Sequence, residues 1–220
     1  MSTGHIVSEH VIIIARHGES LKNVQDRHGG PGEPLTAKGK EEVDNLVSSI
    51  SKISVQPRII YCSNIPQVLE TARILSDSLI AKITFDERIR PLDLGVLSGL
   101  SREEALQRYP GPAELMEKWR RGEIEIGQLE IPLAEGLEAF WKRGLSFIDS
   151  IKYQKGLDII VGTRSILTLL ISILLKRGIE PGGGYKAIEI PSGGFATFAL
   201  HNDSHHALQD LSNLKLSIFT

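Results

Sequence analysis

The chain has 220 residues, of which 41% are hydrophobic, enough to bury the core of one α/β domain. A formal net charge of −2 gives no electrostatic case for binding nucleic acid or an anionic membrane. The lone cysteine, Cys62, excludes an internal disulfide, and residues 1–10 lack the pattern of a signal peptide, so we expect a cytoplasmic protein.

The first predicted element is a buried strand over residues 11–15, an unbroken apolar run that ends at Arg16 and His17. A guanidinium is a rigid, permanently charged fork that suits phosphate oxygens, and a neutral imidazole is a nucleophile that can carry a phosphoryl group. The pair therefore favours phosphoryl transfer through a phosphohistidine at His17. The alternative is that two polar residues at a strand end only improve solubility.

Helix-like and strand-like segments then alternate along the chain. Helices are predicted from Thr36 to about residue 53, from Asn64 to about residue 80, from Ser101 with a capping box to Glu104, over residues 137–151, and from Ser165 onward. Short strands are predicted over residues 58–62, 83–85, 157–161, 187–190 and 195–200. This alternation predicts an α/β three-layer sandwich, a mainly parallel sheet with helices on both faces.

We interpret residues 1–220 as a single domain with an insertion or lid at about residues 100–135. Its central part, residues 110–132, contains three prolines, three glycines and many charges, which is typical of a segment laid over a site. The most hydrophobic stretch, residues 165–175, is too short to span a bilayer and is predicted to be a buried helix.

Two strand-to-helix junctions should lie beside His17, because the carboxyl ends of parallel strands share one edge of a sheet. One carries Ser63, and the other carries Thr163 and Arg164. Helix N-termini at that edge point unpaired N–H groups at a bound anion, so both junctions are candidate walls of a phosphate site. The alternative is that the polar side chains at these junctions only cap their helices.

Several motifs, in the same order, resemble the histidine phosphatase superfamily in its phosphoglycerate-mutase-like branch over about residues 11–200. They are Arg16-His17-Gly18-Glu19-Ser20 with Asn23, residues 34–39, residues 61–72, residues 86–89 with Gly95 and Gly99, and Glu135 with Arg143. The resemblance implies that His17 is the nucleophile, that Arg16 binds phosphate and that Asn23 belongs to the phosphate or substrate site.

Three positions depart from the family pattern. Gln67 stands where the family has a second phosphate-binding Arg, Pro91 where it has a Glu as general acid, and Thr163 where it has a second His. Gln67 and Thr163 can still offer hydrogen bonds to a phosphate. Arg164 can supply the missing charge and Asp93 can serve as a substitute acid, or the substrate can have a good leaving group. The alternatives are an exposed Arg164 on a first helical turn and Asp93 as a turn former.

These observations predict a noncanonical phosphatase or phosphotransferase that acts on a phosphorylated small molecule or phosphoprotein. The alternative is an impaired member, a pseudoenzyme, that binds a phosphorylated ligand or a protein partner. No cofactor is predicted. No metal is predicted either, because the polar stretch that contains His201, Asp203, His205 and His206 is interpreted as a solvated tail and not as a set of metal ligands. Neither nucleic acid nor a membrane is an expected partner, and a homodimer stays open.

Overall fold

A computed structural model describes residues 10–151, 156–175, 190–200 and 217–219. Its strands are β1 (His10–Arg16), β2 (Pro57–Cys62), β3 (Lys82–Phe85), β4 (Gly156–Gly162), β5 (Phe195–Leu200) and β6 (Ser217–Phe219). They form one sheet in the order β3-β2-β4-β1-β5-β6. The four strands β3, β2, β4 and β1 are parallel, while β5 pairs antiparallel with β1 and β6 antiparallel with β5.

Helices cover both faces of this sheet. They are α1 (Leu21–Val24), α2 (Ala37–Ile50), α3 (Pro66–Leu79), α4 (Arg102–Arg108), α5 (Pro110–Arg120), α6 (Leu137–Ile151) and α7 (Arg164–Leu174). On one face, Ile13 of β1 belongs to a buried cluster with α2 and α3. On the other face, Ile12 belongs to a buried cluster with α5, α6 and α7. Successive residues of a strand point to opposite faces, so the predicted three-layer α/β sandwich is confirmed.

The local signals mark most element ends correctly. Thr36 caps α2 as predicted, since its Oγ1 accepts a hydrogen bond from Gly39 N at 2.9 Å. The capping box of Ser101 and Glu104 at the start of α4 is also confirmed. In contrast, α3 is capped by Ile65 rather than by Asn64, because Pro66 takes the first helical position, where its missing N–H is not needed.

Three parts of the chain differ from the expectation or lie beyond it. The segment 110–132 contains the helix α5, which Pro110 and Pro112 do not prevent because they stand in its first turn. The strand β6 was not predicted. Most of the predicted strand 187–190 lies outside the described residues. Within the described ranges, none of the helices has both the length and the hydropathy that crossing a membrane requires.

Candidate active site

The carboxyl ends of β1 and β4 meet at one edge of the sheet, where His17 N donates a hydrogen bond to Gly162 O at 3.2 Å. A cavity of about 420 Å³ opens at this edge. Five of the predicted site residues line it, namely Arg16, His17, Asn23, Thr163 and Arg164. The structure thus brings these side chains together, as the positions of two parallel strand ends require.

Two glycines allow the backbone after His17 to lie directly against the start of α2. A Cβ atom on Gly18 would lie 2.2 Å from Gly39 O, and one on Gly39 would lie 1.9 Å from Glu19 O. Real Cβ atoms do not approach backbone so closely, so neither position accepts a side chain without a shift of the chain. The close packing therefore fixes the segment that carries His17.

We expect Gly39→Ala to lower both the stability and the activity of the protein. Overpacking against rigid backbone typically costs about 1–3 kcal/mol, and a shift of about 1 Å in a catalytic group can cost about 10²-fold in rate. Gly111→Ala is the matched control, because its Cβ would meet nothing within 4 Å in α5. Denaturant unfolding and the kcat of both variants check the prediction, and equal behaviour of the two would contradict it.

His17 is held as a neutral imidazole. Its side chain is buried, and Nδ1 lies 2.7 Å from Gly18 O, so that Nδ1 carries the proton and donates it to this carbonyl. Burial, assisted by the positive charges of Arg16 and Lys22, lowers the pKa of His17 to about 3. Because the pKa is lowered, the ring is uncharged at all pH values well above 3, and Nε2 keeps its lone pair for attack on phosphorus.

Arg16 and Asn23 contribute hydrogen-bond donors beside the imidazole. Arg16 Nη1 donates to the carbonyl oxygen of Ile190 at 2.9 Å, which anchors one arm of the guanidinium. Asn23 Oδ1 accepts from the backbone N and the Oγ of Ser20 at 3.0 Å and 2.8 Å. Because the side-chain oxygen of Asn23 is used in this capping box, its NH₂ group is the part that can donate a hydrogen bond to a bound anion.

Thr163 and Arg164 form the second wall of the cavity at the start of α7. Thr163 is the N-cap residue, its side chain accepts no capping hydrogen bond, and its Oγ1 lies 3.4 Å from Ser165 Oγ. Arg164 is the first residue of the helix and is only partly buried. The N-terminus of a buried helix and a guanidinium together make a favourable environment for an anion.

Three other predicted residues do not line the cavity. Gln67 is buried, and its Oε1 accepts a hydrogen bond from Glu33 N at 3.1 Å, which commits this side chain to the loop before α2. Ser63 is also buried away from the cavity. Asp93 Oδ1 accepts hydrogen bonds from Gly95 N at 2.9 Å and from Ser98 Oγ at 3.1 Å. This geometry is typical of a residue that forms a turn, the alternative to the role of Asp93 as a substitute acid.

Pro91 does line the cavity, and an ion pair behind it holds it there. Arg143 Nε and Nη2 each donate to the carboxylate of Glu135 at 2.8 Å. The same guanidinium donates to the carbonyl oxygens of Arg90 at 2.8 Å and of Pro91 at 3.0 Å. Glu135 and Arg143, both part of the family resemblance, therefore brace the backbone that reaches the site.

The sequence did not predict most of the Lys and Arg side chains that line the cavity. Seven Lys and Arg side chains line the cavity, against the two carboxylates of Asp26 and Glu117. Lys22 comes from α1, and Arg120 comes from α5, where it is held by Asp26 and Glu117 at 3.4 Å each and by His28 Nδ1 at 3.2 Å. Lys22 had a usable signal, since it lies five residues after His17. The basic residues on α4 and at the end of α5 had none, because only the tertiary fold places them at the site.

A comparison with protein-family models matches residues 12–203 to the histidine phosphatase superfamily (branch 1). The chain belongs to this superfamily. In line with the membership, the residues that the family resemblance assigns to nucleophile and phosphate binding, His17 and Arg16, are adjacent in the cavity. Among the described residues, no group of three or more His, Cys, Asp and Glu could hold a metal ion, and His201, Asp203, His205 and His206 lie outside them.

Similar proteins include phosphatases and a mutase. Phosphoserine phosphatase 1 of Hydrogenobacter thermophilus is 27% identical over 142 residues, which are 64% of either chain. A Salmonella choleraesuis protein named "Probable phosphoglycerate mutase GpmB" is 31% identical over 111 residues, 50% of this chain and 47% of that one. The chain thus spans less than two thirds of the length of these curated relatives. The structure of mycobacterial glucosyl-3-phosphoglycerate phosphatase with VO3 has a TM-score of 0.72, with 19% identity and coverage of 96% and 97%.

Proposed function

We propose that this chain is a phosphatase or phosphotransferase that moves a phosphoryl group from a phosphorylated substrate to His17, and from there to water or another acceptor. One observation carries the proposal. A buried, neutral imidazole, with its Nδ1 proton donated to Gly18 O, lies beside Arg16 in a cavity lined by basic side chains. Such an arrangement has no structural use at a strand end, but it suits in-line attack on phosphorus.

The proposed reaction has two steps. His17 Nε2 attacks phosphorus, the bond from phosphorus to the ester oxygen breaks, and the leaving oxygen receives a proton. Water then attacks the phosphohistidine, the P–N bond breaks, and inorganic phosphate and neutral His17 are released. In both steps Arg16 and Arg164 balance the negative charge of the phosphoryl oxygens, as preorganised donors do in phosphoryl transfer.

The cavity favours a small phosphorylated molecule over a phosphoprotein. Its volume of about 420 Å³ is within the range of small-molecule sites. The excess of seven basic over two acidic side chains favours a substrate with further anionic charge beyond one phosphate. Proteins similar to this chain carry names of phosphatases for small phosphorylated molecules, among them phosphoserine phosphatase 1.

A cytoplasmic location of the protein stays a prediction.

Hydrolysis of an activated ester tests this proposal directly. We expect the purified protein to release phosphate from p-nitrophenyl phosphate and to be inhibited competitively by orthovanadate, which mimics the five-coordinate phosphorus of the transition state. The leaving group of this ester departs without assistance, so the absence of Glu at position 91 does not obscure the result. A correctly folded protein that releases no phosphate from this ester would contradict the proposal.

The second candidate function is an impaired member that binds a phosphorylated ligand. The observation in its favour is that Pro91 occupies the cavity wall while Gln67 lies outside the cavity, so neither supplies the group that the family uses there. Calorimetric binding of a phosphate ester, lost in Arg16→Ala and unaccompanied by any hydrolysis, would favour this function over the first.

A further inference from the structure

The cavity lacks the usual source of the proton that the leaving group needs. Without protonation, an alkyl phosphate must expel an alkoxide, and general-acid catalysis of such a step is typically worth about 10²–10⁴ in rate. Pro91 carries no proton to donate. If the protein cleaves alkyl phosphates, another side chain of the cavity must act as the acid.

The two carboxylates of the cavity are poor candidates because both are engaged with guanidinium groups. Asp26 forms ion pairs with Arg102 at 3.1 Å and with Arg120 at 3.4 Å. Glu117 pairs with the same two arginines at 3.1 Å and 3.4 Å. A carboxylate held in this way accepts hydrogen bonds and donates none, and an arginine does not give up its proton in proteins.

Lys22 differs from these groups in its partners and in its pKa. It lines the cavity on α1, directly before Asn23. Its side chain is half-buried, and no ion pair or side-chain hydrogen bond of its Nζ occurs among the described residues. Burial, reinforced by the charge of Arg120, lowers the pKa of Lys22 to about 8. Its ammonium is therefore charged near neutral pH but releases a proton more readily than an exposed lysine does.

We propose that Lys22 is the catalytic acid of this cavity, whose ammonium group protonates the leaving-group oxygen while His17 attacks phosphorus. The role rests on the proposed phosphatase function and extends it to esters with poor leaving groups. It also gives a reason for a half-buried lysine without an ion pair among the described residues, in a cavity where Pro91 stands at the family's acid position.

The proton balance closes over one turnover. In the first step, the ester P–O bond breaks, the P–N bond to His17 forms, and Lys22 passes one proton to the leaving oxygen and becomes a neutral amine. In the second step, that amine takes a proton from the attacking water as the P–N bond breaks. Lys22 is then an ammonium again and His17 is neutral again, so no further reactant is required.

Other charged and titratable groups face the same cavity and enter the interpretation of any pH profile. They are Arg16 at the end of β1 and His17 directly after it, Asp26 and Arg27 after α1, Arg102 on α4, Glu117, Arg120 and Arg121 on or just after α5, and Arg164 on α7. A guanidinium does not give up its proton in proteins, and the pKa of His17, about 3, lies far below that of Lys22, about 8. A loss of activity centred near pH 8 in kcat/KM, which reports the free enzyme, is thus the expected signature of Lys22.

The test compares Lys22→Arg with wild type on ethyl phosphate and on p-nitrophenyl phosphate. Arginine keeps the positive charge but cannot give up its proton. We expect the kcat/KM of the variant to fall about 10²-fold or more on ethyl phosphate and to change little on p-nitrophenyl phosphate. The decrease in kcat/KM that wild type shows as the pH rises through about 8 should be absent from the variant. Lys142→Arg, an exposed ion-paired lysine on α6, is the matched control and should behave as wild type.

The other results would overturn the inference. Equal losses on both esters would make Lys22 a phosphate-binding charge, and no loss on either would exclude it from the reaction, while the phosphatase function would stand in both cases. A wild type that cleaves the activated ester but never ethyl phosphate would also exclude an acid in the cavity. Failure of wild type on both esters would instead overturn the proposed function, and the role of Lys22 with it.

Discussion

Replacing His17 by alanine should lower the rate of hydrolysis of every phosphate ester that the protein accepts by a factor on the order of 10⁴ or more. This is the scale for losing a nucleophile that works as a unit with its neighbours. The reason is the geometry of the imidazole, whose Nδ1 proton is donated to Gly18 O while Nε2 keeps its lone pair. Steady-state rates on p-nitrophenyl phosphate provide the measurement.

A control on the same strand separates chemistry from folding. His10 is as deeply buried as His17 but lies at the opposite end of β1, where its Nε2 pairs with Asp158 at 2.9 Å. His10→Gln should affect the thermal melt rather than the reaction, since this residue does not line the cavity. Turnover that persists undiminished in a folded His17→Ala variant would rule out His17 as the nucleophile.

The second large effect is expected at Arg16. Removing one preorganised electrostatic donor commonly costs about 10²–10³ in rate, so Arg16→Ala should lower kcat/KM by that amount. The kcat/KM of Arg16→Lys should lie between those of wild type and Arg16→Ala, because lysine keeps the charge and loses the planar fork that fits two phosphate oxygens. The kcat/KM values of both variants on p-nitrophenyl phosphate, together with their affinity for orthovanadate, check the prediction.

The control for this series is Arg73→Ala, which removes an exposed guanidinium on α3, away from the cavity. It should leave kcat/KM unchanged. If Arg16→Ala lowers the melting temperature but not kcat/KM, then Arg16 serves the structure through its hydrogen bond to Ile190 O and does not hold the substrate.

The fold was accessible from the sequence because its signals are local. The apolar runs that became β1, β2 and β4 and the caps at Thr36 and Ser101 report their own secondary structure, and alternation of strands with helices indicates a parallel sheet. The strand β6 was not predicted from the sequence.

The site was only partly accessible. Arg16, His17 and Thr163 stand at or directly after the ends of parallel strands, and so they could be placed at one sheet edge from the sequence. The side chain of Gln67 could not, because its direction depends on the loop whose Glu33 N it binds. Nor could Arg120, since its place in the cavity follows from how α5 packs against Asp26 and His28, far away in the chain.

The most direct test of the central claim is the covalent intermediate itself. Brief incubation of the wild type with acetyl phosphate, followed by a basic quench, proteolysis and mass spectrometry, should find one phosphoryl group on His17, stable in base and lost in acid. The label should form as well in Lys22→Arg, because acetate leaves without a general acid. A label on any other residue, or hydrolysis of acetyl phosphate by wild type with no phosphohistidine detected under conditions that trap it, would contradict the account.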